Sequence, residues 1–200
     1  MHARLRLALT ALTVCAVAAV IGASLAMGGG GGATVLTNGW AGAIRPPGVR
    51  VPAFSLRDQD GTVVTSASLR GKPTIYAFVY STCRDTCPAQ VQTIRQALDD
   101  TGADVNVVGV SVDPKTDTPK LAKTFLLAQS MTGRMDFLLG TRAQLQHVWD
   151  AFGIRPQTKA LEHSAHVVVA DTDGMQRVGF PYDHLTEEGL GHDMAKLARR

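Results

Sequence analysis

KPTIYAFVYSTCRDTCPAQVQTIRQAL, residues 72–98, carries three patterns in succession. Lys72–Tyr80 is a short, nearly continuous apolar run, the mark of a strand buried on both faces. Cys83 and Cys87 follow directly, and Pro88 suits the first turn of a helix, where its missing N–H costs nothing. Val91, Ile94 and Leu98 then recur at helical spacing until Gly102 stops the pattern. A buried strand that runs through a cysteine pair into a helix is the first half of a β-α-β unit. It sets both thiols at the carboxyl end of a strand, where open α/β sheets carry their sites.

Working outward, Val105–Val112 reads as a second buried strand, and Thr118 with Pro119 as the cap and first residue of a helix. A short strand starts at Asp136; Thr141 caps a helix that Gly153 ends, with Trp149 and Phe152 on its core face. The runs from His166 and from Met175 form a hairpin across Thr172-Asp173-Gly174, and Thr186-Glu187-Glu188 opens a last helix through Leu197. Upstream, the segment from Phe54 reads as a hairpin around Asp60-Gly61. The order is a β-hairpin followed by β-α-β-α-β-α-β-β-α. That order predicts a thioredoxin-like α/β sandwich with an added N-terminal hairpin over residues 51–200.

Ahead of this domain, Leu7–Met27 is an uncharged run of 21 residues. At about 1.5 Å per residue it is long enough to cross about 30 Å of hydrocarbon as a single membrane helix. Arg4 and Arg6 put its N-terminal side in the cytoplasm and the rest of the chain on the extracytoplasmic side. Ser24-Leu25-Ala26 offers small residues for a peptidase, which would release a secreted form; both readings export the domain. Residues 1–27 are therefore read as an anchor or signal segment, and residues 28–50, glycine-rich and then proline-containing, as a linker. Cys15 falls inside the apolar run after the β-branched Val14, which suits a membrane-buried cysteine better than a lipidated one. A net charge of +3 without a basic block or interleaved aromatic residues gives nothing that points to nucleic acid, and no nucleic-acid partner is expected.

Outside the cytoplasm a cysteine pair can stay oxidised. A bridge between Cys83 and Cys87 closes too small a loop to serve as a structural staple, however. Cys87, beside a helix N-terminus, is expected to ionise below the ~8.5 of an ordinary thiol, with Arg84 adding to the effect if it points inward. Such thiols serve redox exchange and metal ligation alike. A third group stands at Glu162-His163-Ser164-Ala165-His166, the head of a strand facing the cysteines. Thioredoxin-type oxidoreductases usually carry a proline there that discourages metal binding; here His163 stands instead, either a surface histidine in a loop or the third donor of a Cys2His set. Those donors suit Cu(I), and Zn(II) as well. Strand alternation sends His166 to the other face, and His147, His184 and His192 have surface readings.

The segments DQDGT from Asp58, LRGK from Leu69, YSTCRDTCP from Tyr80, SVDPKTDTP from Ser111 and EHSA from Glu162 together resemble the Sco/SenC proteins over residues 50–198. The resemblance implies a membrane-anchored thioredoxin-like domain that binds one copper, Cu(I) and in some states Cu(II), through Cys83, Cys87 and His163. It also implies a role in assembling the dinuclear copper centre of cytochrome c oxidase, whose copper-site subunit would be the partner. The alternative is a tethered thiol–disulfide oxidoreductase in which Cys83 and Cys87 act on another extracytoplasmic thiol protein; a peroxidase stands third. Arg84 and Glu162 depart from the family's usual proline and aspartate without removing a ligand.

Overall fold

The structure, a computed structural model, describes residues 37–157 and 165–199. The expected anchor over residues 1–27, Cys15 within it, and His163 lie outside the described residues. Among the described residues no helix is long and apolar enough to cross a membrane. Along the chain run β1 (Ala43–Ile44), β2 (Ser55–Arg57), β3 (Val63–Thr65), β4 (Thr74–Val79), α1 (Thr86–Thr101), β5 (Asn106–Ser111) and α2 (Pro119–Ala128). They are followed by β6 (Asp136–Leu138), α3 (Arg142–Phe152), β7 (His166–Ala170), β8 (Gln176–Pro181), a 3-10 turn (Tyr182–His184) and α4 (Glu187–Ala198).

Local chemistry accounts for the boundaries. The Thr118 hydroxyl accepts from the Leu121 N–H, with Pro119 opening α2. Thr141 and Gln144 form a reciprocal capping box at α3. Gly61 turns the β2–β3 hairpin at φ +85°, a conformation that costs glycine little.

The main sheet has the order β1-β8-β7-β4-β5-β6. β4 lies at its centre and is buried at every position. It runs parallel to β5, with Thr74 opposite Asn106, and antiparallel to β7, with Ala77 opposite Val167. Alternation along the strands divides the core in two. Ile75, Ala77, Val79, Val167 and Val169 face α1, α2 and α4, and the two cysteines belong to this layer. Tyr76, Phe78, Val108, Val110 and Val168 face α3 and the hairpin, where Trp149 and Phe152 are buried as expected. This is the thioredoxin-like α/β sandwich with its added hairpin.

The chain ahead of Val51 departs from the linker reading. Ala43 and Ile44 pair with Gly179 and Val178, adding β1 to the sheet edge. Trp40 is buried in the first core layer. The fully buried carboxylate of Asp193 in α4 accepts the Ala41 N–H at 3.0 Å and the Gly42 N–H at 2.9 Å. Gly42 has no side chain because a Cβ there would come within 2.7 Å of the Phe180 ring. Lys196 donates to the Gly39 carbonyl at 2.6 Å and sits 4.0 Å above the Trp40 ring. Residues 37–44 are a strap fastened to the last helix.

Candidate thiol and metal centre

The cysteine loop starts where β4 ends. The Cys83 N–H donates to the Tyr80 carbonyl at 3.2 Å, folding the chain back so that α1 begins at Thr86. This start lies ahead of Pro88, so Cys87 sits inside the first turn. Asp85, at the cap position, makes no side-chain cap, and Pro88 has no N–H to offer. The Cys87 N–H instead donates to Cys83 Sγ at 3.3 Å, so the sulfur caps the helix. Thr86 Oγ1 lies 3.8 Å from the same sulfur. Both residues are present as thiols; Cys83 is 7% exposed and Cys87 wholly buried.

The ionisation of the pair differs from the sequence expectation. It is Cys83 whose thiol is pulled down, to about 4. The Cys87 S–H donates to it, and the backbone N–H groups of Asp85 and Cys87 and the Tyr80 side chain add to the effect against the opposing cost of burial. Cys87 is pushed far up, because it gives its hydrogen to Cys83 and is buried. The reason is the helix register. With α1 starting at Thr86, the free N–H groups converge on the preceding sulfur, not on the one within the turn. Arg84 is exposed and is not among the groups that lower Cys83.

A half-buried carboxylate holds this loop from behind. Asp117 accepts the Ser81 N–H at 2.7 Å and the hydroxyls of Ser81 and Ser111, both at 2.5 Å. It thereby ties the loop, two residues before Cys83, to the end of β5. Burial pushes its carboxyl up, against these hydrogen bonds. In the sequence Asp117 is only the residue ahead of the Thr118 cap of α2.

β7 begins at the same end of the sheet, since its Val167 pairs with Ala77 and the cysteine loop follows Val79. His166 alternates with Val167 and Val169 and so shares the face of Val168, away from the thiols, as expected. Burial and the nearby Arg45 lower its pKa. Its carbonyl accepts the Gln90 Nε2–H at 2.9 Å. Gln90 is fully buried one turn along α1 from Cys87, and its Oε1 has no hydrogen-bond partner among the described residues. His184 is largely exposed beside Asp183, and His192 bonds Asp193. Among the described residues no three His, Cys, Asp or Glu side chains converge as metal ligands. Cys83 and Cys87 are two of the three expected donors, and the third, His163, stands three residues before His166 in the sequence.

The SCO1/SenC family profile matches residues 44–199. The chain belongs to the SCO1/SenC family. Its Sco relatives of known structure include Bradyrhizobium japonicum ScoI with copper bound, 31% identical at a TM-score of 0.63, with 74% of this chain and 99% of that one covered. BsSco is a Sco-family cytochrome c oxidase assembly protein with a disulfide switch. It is 22% identical at a TM-score of 0.67, covering 78% of this chain and 98% of that one, a likeness of fold. A putative peroxiredoxin of Mycobacterium tuberculosis (strain H37Rv) is 35% identical over 108 residues, 54% of this chain and 65% of that protein. The curated relatives are matched over 51% to 71% of their length.

Proposed function

We propose that this protein is a copper-binding assembly factor that loads or prepares the dinuclear copper site of cytochrome c oxidase. Cys83, Cys87 and His163 hold one copper ion as cargo, and residues 1–27 tether the domain on the extracytoplasmic side. The observation that carries the reading is the pair of buried sulfurs at the start of α1, of which Cys83 ionises far below neutrality. Cys87 holds its proton because it donates it to Cys83 and is buried, and the neighbouring negative charge adds to that penalty on a second thiolate. A soft monovalent cation between them removes that penalty, so loading releases the Cys87 proton. Titrating the reduced protein with Cu(I) against a competing chelator, beside His163→Ala, tests the reading. One tight equivalent, weakened at least tenfold in the variant, is expected; unchanged affinity in His163→Ala overturns it.

The asymmetry of the pair also favours a thiol–disulfide reductase acting on the target's cysteines. The Cys83 thiolate attacks a partner disulfide, and the partner's other sulfur leaves and takes up a proton. Cys87 then gives up its own proton and attacks Cys83, releasing the second partner thiol. The partner gains two electrons and the pair ends as a disulfide. This reading expects a potential in the exchange range of roughly −120 to −270 mV, and a bridge far below that range excludes it. Both readings start from the reduced pair.

A further inference from the structure

Asp117, whose carboxylate holds Ser81 of the cysteine loop, also forms part of the wall of a cleft of about 480 Å3. A concavity of that size can seat a ligand or a few residues of a partner. Its other walls are largely apolar: Leu56 and Val63 of the hairpin, Pro114 and Pro119 around the start of α2, and Leu139 after β6. Val63 is 50% exposed there.

The cleft opens where β6 stops. Arg57 in β2 exchanges both backbone bonds with Leu139, giving its N–H at 3.3 Å and accepting at 2.7 Å. Continuing that antiparallel pairing would bring residue 141 opposite Ser55, but Thr141 caps α3 and the chain turns away. Alternation along β2 aims the N–H and C=O of Ser55 to the same side as those of Arg57. Among the described residues neither group has a partner, and Ser55 is exposed. A strand edge with a free donor and acceptor beside apolar walls is a template for an added strand.

Charge decides which segment fits. The carboxylates in the wall are already engaged: Asp58 accepts the N–H groups of Asp60 and Thr62, and Asp117 is held by Ser81 and Ser111. Asp60, at the hairpin tip, pairs with Lys123 at 2.8 Å. Arg57 in the wall, and Lys115 and Lys120, which follow Pro114 and Pro119 directly, are exposed and make no ion pair among the described residues. Only Asp113, half-buried two residues before Lys115, offsets them. We propose that this cleft docks an extended, acidic segment of the protein on which the cysteine pair acts. The segment adds a short strand at Ser55 and sets its apolar side chains against Leu56, Val63 and Leu139. Complementary charge steers the encounter and fixes its register, and Asp117 places the docked segment beside the anchor of the cysteine loop. The inference rests on the function proposed above for the identity of the partner, and it holds equally for copper transfer and for thiol exchange.

The test uses a short capped, fluorescein-labelled peptide in which Glu and Asp alternate with Leu and Val, and a counterpart with Lys at the acidic positions. Fluorescence anisotropy against the full chain in detergent at low salt is expected to show saturable binding of the acidic peptide. It should bind at least about tenfold tighter than the basic one and weaken as salt rises. In the double variant Lys115→Glu, Lys120→Glu that preference is lost, and the dissociation constant of the acidic peptide rises at least about tenfold. Ser55→Pro, which removes the free N–H at unchanged charge, weakens binding about fivefold. Equal binding of the two peptides overturns the proposal. So does unchanged affinity in the lysine variant, which alters exposed side chains only and so decides the matter even where Ser55→Pro fails to fold. Complete displacement of the peptide by inorganic phosphate at constant ionic strength also overturns it, because the cleft is then a site for a small anion. The assay contains no copper. Peptide binding as expected, with His163→Ala unchanged in Cu(I) affinity, sinks the copper reading and leaves the cleft standing; loss of Cu(I) affinity in His163→Ala without any peptide preference sinks only the cleft.

Discussion

Two short stretches, the cysteine loop 81–85 and the strap over residues 37–44, are each held by one aspartate far away in sequence, fully buried for the strap and half-buried for the loop. Asp193 holds the strap through two backbone N–H groups and closes the edge of the sheet. Asp117 holds the loop through one N–H and two hydroxyls, at the carboxyl ends of β4 and β5. The first anchor serves the fold alone. The second stands behind a sulfur whose ionisation depends on where the loop sets it. The same device is thus used once for stability and once for placement, and the two uses separate under mutation.

The largest effect is expected at the strap. Asp193→Ala leaves the N–H groups of Ala41 and Gly42 without their acceptor, and a loss of about 3 kcal/mol is expected in chemical denaturation. Thiol chemistry should be unmoved; a changed Cys83 reactivity would break the comparison. Asp117→Ala is expected to cost less, about 2 kcal/mol, but to alter the thiols. With Ser81 released, the Cys83 ionisation moves up towards that of an ordinary cysteine.

The pH dependence sharpens this contrast. Cys83 ionises near 4 in the fold against ~8.5 for an unfolded thiol. Its depressed value contributes stability that is complete above about 8.5 and fades as pH falls towards about 4. Thiolate-specific alkylation of the reduced protein, followed by peptide mapping, should stay flat from neutral pH down to about 6 and drop only near about 4, with the label on Cys83. The Asp193→Ala profile should overlay the wild type, and that of Asp117→Ala should lie at higher pH. The smallest effect is expected for Lys196→Met, which removes the cation over Trp40 and the bond to Gly39. About 1 kcal/mol or less should be lost, with a red shift of Trp40 emission.

Local signals in the sequence were legible and long-range ones were not. The apolar run of β4, the Thr118-Pro119 start, the glycines at 102 and 153 and the Asp60-Gly61 turn act on their immediate neighbours, and each element stands where they place it. The strap was read as linker because a two-residue strand has no periodicity, and its anchor is about 150 residues away in α4. Only Trp40, a large apolar residue in a glycine-rich stretch, pointed to it. The cysteine pair was plain from its spacing. Which sulfur carries the charge depends on a helix starting at Thr86 rather than at Pro88, a shift smaller than sequence patterns resolve. Asp117 and Gln90 were hidden for the same reason as Asp193, because their partners lie on other elements.

The sulfur that caps α1 has one more consequence. A disulfide between Cys83 and Cys87 turns a charged acceptor into a neutral, weak one and leaves the first turn of the helix without its cap. Oxidation thus loosens the end of α1 by chemistry alone, and reduction tightens it again. Amide hydrogen exchange at Cys87 will run faster in the oxidised protein than in the reduced one, making that N–H a built-in gauge of the electron inventory of the site.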